Sequence, residues 1–75
     1  MKNELSIGKL IHDQMKEERR SAEWLANKLS CNRSNIYKIF EKPDMDIAQL
    51  MRISRILHHD FFSDLSALFE KDDSL

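Results

Sequence analysis

Glycine and proline are the residues that let a chain reverse in tight turns, and this chain has one of each among its 75 residues. A β-sandwich or barrel needs many such reversals, so the composition argues against an all-β fold and makes helix the default for every long segment. With 41% hydrophobic and 33% charged residues, the chain is also too apolar to stay disordered. A chain this short makes one domain, buries roughly 60% of its unfolded surface, and has little room for a deep substrate pocket.

The apolar spacing and the residues able to cap helix N-termini divide the chain into five helices. Ser6 opens a helix ending around Glu18, on which Ile7, Leu10, Ile11 and Met15 form one stripe. Ser21 opens a second, about Ala22–Leu29, with Leu25, Ala26 and Leu29 on a shared face. A break at Ser30, Cys31 and Asn32 follows, and Asn32 caps a third helix over Arg33–Phe40, with Ile36 and Ile39 turned inward. Ala26 is placed where two helices cross closely, with Cys31 in the packing around it. Pro43 breaks the chain within 41–45. Asp46 and Gln49 then read as a capping box opening a fourth helix, whose Ile47, Leu50, Met51, Ile53, Ile56 and Leu57 predict a broad buried arc. Asp60 caps a last helix over 61–69: Phe61, Leu65 and Leu68 share its docking face, and Phe62 and Phe69 lie on an adjacent stripe. Residues 1–5 and the acidic tail from Glu70 read as loose.

The outer face of the third helix carries Arg33, Ser34, Asn35, Tyr37 and Lys38. Every one of these side chains donates hydrogen bonds, two are cationic and none is acidic, a combination suited to phosphates and base edges. The plain alternative is a solvated helix face. For Arg19 and Arg20, just before the second helix, phosphate contact and a solvated charged link are both open. Trp24 either packs over the end of the first helix or lies exposed, with packing favoured for a large aromatic.

Residues 21–39 resemble the helix-turn-helix of the lambda-repressor and Cro family of bacterial and phage regulators. The likeness continues through 47–57, similar to the family's fourth helix, and covers about 7–68. It implies an all-α, five-helix lambda-repressor-like DNA-binding domain that inserts the Arg33–Phe40 helix into the major groove of double-stranded DNA. Arg33, Ser34 and Lys38 are then the base-reading candidates; Asn35, Tyr37 and Lys42 are assigned to phosphates, Lys42 because the family's corresponding loop follows the DNA backbone. Members commonly pair two copies, so a homodimer joined through Phe62 and Phe69 is expected, with a monomer wrapping both rings in its core as the alternative. Two departures stand out. Ser30 occupies a turn where the family usually has Gly at positive φ, at a cost of roughly 1 kcal/mol. Ala22 replaces a Gln that contacts the DNA backbone.

The net charge of -1 is uneven: residues 1–43 hold nine Lys or Arg against six Asp or Glu, and residues 44–75 hold three against seven. A basic first half suits phosphate binding. The acidic second half keeps a different class open, a helical protein-interaction module such as an antitoxin or anti-repressor. No motif pairs a nucleophile with a base, so an enzyme is not expected, nor is a cofactor. His58 and His59 lack the spacing of a zinc site, so no metal is expected either. Cys31 is the only cysteine. With no disulfide and no apolar run of membrane-spanning length, a cytoplasmic setting is expected.

Overall fold

The computed structural model describes residues 6–71, all helix and connecting turns: α1 (Ile7–Glu18), α2 (Ala22–Leu29), α3 (Arg33–Phe40), α4 (Ile47–Leu57) and α5 (Phe61–Lys71). The expected frayed start, 1–5, and the end of the expected loose tail, 72–75, lie outside the described residues. Glu70 and Lys71 are helical, so α5 outruns the expected 61–69.

Four N-termini are capped as their sequences predict. Ser6 Oγ accepts from Lys9 N–H at 3.3 Å, and Ser21 Oγ from Trp24 N–H at 3.0 Å. Asp46 Oδ1 accepts from Gln49 N–H at 2.9 Å, and Asp60 Oδ1 from Ser63 N–H at 3.1 Å. Asn32 departs from expectation: it holds the extended backbone of a cap, but its side chain makes no capping hydrogen bond.

The C-termini share a device the sequence does not advertise. Arg19, Ser30 and His58, which end α1, α2 and α4, all take left-handed backbone near φ 53–59°. In each case the next residue's N–H returns to a carbonyl five residues back: Arg20 to Met15, Cys31 to Ala26, His59 to Ser54. This closes the helix end by satisfying carbonyls that would otherwise be orphaned.

The core gathers Ile7, Ile11 and Met15 of α1, Leu25 and Ala26 of α2, Ile36 and Ile39 of α3, Leu50, Ile53 and Leu57 of α4, and Phe61 of α5. Ala26 is buried, Cys31 packs against this core as expected, and Trp24 is half-buried against it. Two expectations are corrected. Ile47 (62% exposed) and Met51 (45%) fall outside the core, so α4 buries a narrow stripe and not a broad arc. On α5, Phe62 packs against the core while Leu68, expected to dock, is exposed.

The sole glycine sits inside a helix. A Cβ on Gly8 would overlap the main-chain carbonyl oxygen of Ile39. Only a bare Cα lets α1 lie this close to the end of α3. The same approach lets Ile7 N–H donate to Pro43 O at 3.0 Å and Gly8 N–H to Lys42 O at 2.9 Å, so the free donors at the start of α1 hold the loop after α3.

Candidate nucleic-acid interface

Burial of Ile36 and Ile39 fixes the rotation of α3 and turns its remaining side chains outward. Arg33, Ser34, Asn35, Tyr37 and Lys38 are all exposed, as is Lys42 in the loop tied to α1. At 100° per residue, Ser34 points most directly away from the core, Arg33 and Tyr37 lie toward one flank, and Asn35 and Lys38 toward the other.

The two flanks differ in chemistry. On the Tyr37 side, Tyr37 meets Phe40 edge-on with ring centroids 6.1 Å apart, and Phe40 stacks on His12 of α1 at 4.2 Å. These contacts form an aromatic brace between α1 and α3. On the opposite side, Asn35 and Lys38 border a cleft of about 250 Å³ shared with Lys42 and with Gln49 and Arg52 of α4. Leu29, Cys31 and Ile39 line it as well. Among the described residues, no carboxylate lines this cleft.

Sequence reasoning assigned Gln49 only to a cap and left Arg52 without a role. Their three-residue spacing puts both on one flank of α4, beside the buried Leu50 and Ile53. That signal is present in the sequence, but it points nowhere until α3 stands next to it.

Arg20, exposed just before α2, contacts two side chains of its own chain. Its guanidinium lies 4.2 Å from the Trp24 ring centroid and 3.8 Å from Glu18, while Lys28 Nζ approaches the same ring at 5.6 Å. Two cations thus lie over the indole. His59 Nε2 lies 2.7 Å from Asp64 Oδ2, which ties the α4–α5 link to α5. Among the described residues, no three His, Cys, Asp or Glu side chains gather as metal ligands would, and no helix is long and apolar enough to cross a membrane.

Comparison of the chain with family models, with curated proteins and with solved structures finds no match. The class is therefore defined by architecture: an all-helical chain of five helices whose short third helix displays a polar, cation-bearing face.

Proposed function

We propose that the protein is a sequence-specific DNA-binding regulator of the lambda-repressor and Cro kind. In this reading α2 and α3 form a helix-turn-helix, and α3 enters the major groove. One observation carries it: the face of α3 left exposed by Ile36 and Ile39 consists wholly of hydrogen-bond donors, with two cations and no acid. The resemblance of 21–39 to that family supports it, as does the left-handed Ser30 between α2 and α3, where the family usually has Gly.

Arg33 and Ser34, in the first turn of α3, are the foremost base readers, with Lys38 a further candidate; Asn35, Tyr37 and Lys42 contact phosphates. The protein acts in the cytoplasm as a homodimer and needs no cofactor or metal for this role. Retention on heparin or on mixed-sequence duplex that falls steeply with salt is the expected result.

A second reading, a helical module that binds protein, is favoured by the exposed apolar side chains Ile47 and Met51 on α4 and Leu68 and Phe69 on α5. Failure to be retained on duplex even at low salt selects this reading over the first.

A further inference from the structure

We propose that the cleft between α3 and α4 is a phosphate-binding site in which Lys38, Lys42 and Arg52 surround one phosphate group and the amides of Asn35 and Gln49 donate to it. The identity of the phosphate as a DNA backbone diester rests on the DNA-binding reading; the site itself does not.

Three cations reach this cleft from three separate segments: α3, the loop after it, and α4. None of them pairs with a carboxylate among the described residues, whereas Lys9 pairs with Asp13 and Arg20 with Glu18. Unpaired like charges around a shared space repel, and an anion between them turns that repulsion into attraction. The apolar Leu29, Cys31 and Ile39 alongside lower the local dielectric, which strengthens charge-assisted hydrogen bonds.

Size selects the ligand. At about 250 Å³ the cleft is smaller than the roughly 300–1,000 Å³ typical of pockets that enclose whole small molecules. It suits the five heavy atoms of a phosphate group with its waters better than a nucleotide. Position selects the source. Lys38 belongs both to the cleft and to the exposed face of α3, so a phosphate held here lies beside Ser34, on the flank of α3 opposite Arg33. Lys38 then contributes to the backbone grip, which narrows base reading to Arg33 and Ser34. Arg52 enters the interface although it belongs to the acidic half of the sequence.

Two readouts on the full chain test this. The first is the slope of log affinity against log salt on a mixed-sequence duplex. Arg52→Ala, with Arg52→Gln as a milder second variant, is expected to reduce the slope by about 1, while Arg55→Ala on the same helix keeps the parent slope. The second needs no variant: the rate at which Cys31, the only thiol and a lining residue of the cleft, reacts with a disulfide reagent. Duplex is expected to slow this reaction several-fold. Duplex binding with either readout at its parent value overturns the cleft site and leaves the DNA reading standing. Protection of Cys31 by inorganic phosphate, at matched ionic strength and without duplex binding, keeps the site and overturns the DNA source. Protection by neither overturns the cleft site, whether or not duplex binds.

Discussion

Ser30 sits at φ 58°, ψ 47°, a conformation that costs an L-residue with a Cβ roughly 1–2 kcal/mol and costs glycine almost nothing. Arg19 and His58 bear the same strain at the ends of α1 and α4. Ser30→Gly should raise stability by about 0.5 to 1 kcal/mol, the relief being partly offset by the greater freedom of glycine in the unfolded chain. Thermal melting checks this, with a rise of a few degrees expected for a domain of this size. A lower melting point would mean that the α2–α3 turn is not closed in the left-handed form. Gly8 behaves in the opposite way. Its missing Cβ is replaced in space by the Ile39 carbonyl, main-chain atoms that cannot rotate aside. Gly8→Ala should therefore destabilise by at least about 1 to 3 kcal/mol, the usual range for overpacking. It should also disturb the two hydrogen bonds that hold Lys42 and Pro43. Denaturant titration is the measurement, and a shift under half a kcal/mol would contradict so close an approach of α1 to α3.

Among the elements, α3 divides the labour of the proposed interface. Arg33→Ala should lower specific affinity by about 1 to 3 kcal/mol and relax base preference, because it removes a donor from the first helical turn. Lys42→Ala, which removes charge from the flanking loop, should weaken all sequences nearly equally. Titration of both variants on a selected and a scrambled duplex separates the effects; unchanged discrimination by Arg33→Ala removes it from the base readers. How much of this was legible depended on whether the determining contact is local. The caps at Ser6, Ser21, Asp46 and Asp60 bond to an N–H three residues away, so the sequence carries all the information that they need. Ile47 and Met51 extend the apolar arc of α4 to one side of Leu50 and Leu57 on a helical wheel, yet a thin domain covers only part of that arc. The roles of Gly8 and Arg52 cannot be assigned from their own segments. The meaning of each comes from another helix lying against it, and within its own segment Gly8 resembles a weak point and Arg52 an ordinary surface charge.

For the molecule as a whole, folding carries one cation across the division of charge at Pro43, since Arg52 joins Lys38 and Lys42 around one cleft. The apolar surface is rearranged too. In a body 39 Å long and 23 by 22 Å across, burial falls steadily along α5: Phe61 is 1% exposed, Phe62 and Leu65 are half-buried, Leu68 is 39% exposed and Phe69 71%. Among its large apolar side chains, what separates docked from free is distance along the helix, so the candidate dimer surface moves from Phe62 and Phe69 to Leu68 and Phe69. Two large apolar side chains at adjacent positions near the end of a helix are costly to leave in water, and a second copy meeting them through the same surface makes a symmetric contact. Such a pair could set its two α3 helices in successive major grooves about 34 Å apart, extending the few base pairs read by one copy. Sedimentation at micromolar concentration should therefore show a homodimer, which Leu68→Lys combined with Phe69→Lys splits while each copy stays folded. Phe62→Lys should instead destabilise each copy, since its ring covers the core. A wild type that stays monomeric both free and on a palindromic duplex rules the dimer out, and a dimer that survives the double change shifts the interface to Ile47 and Met51 on α4.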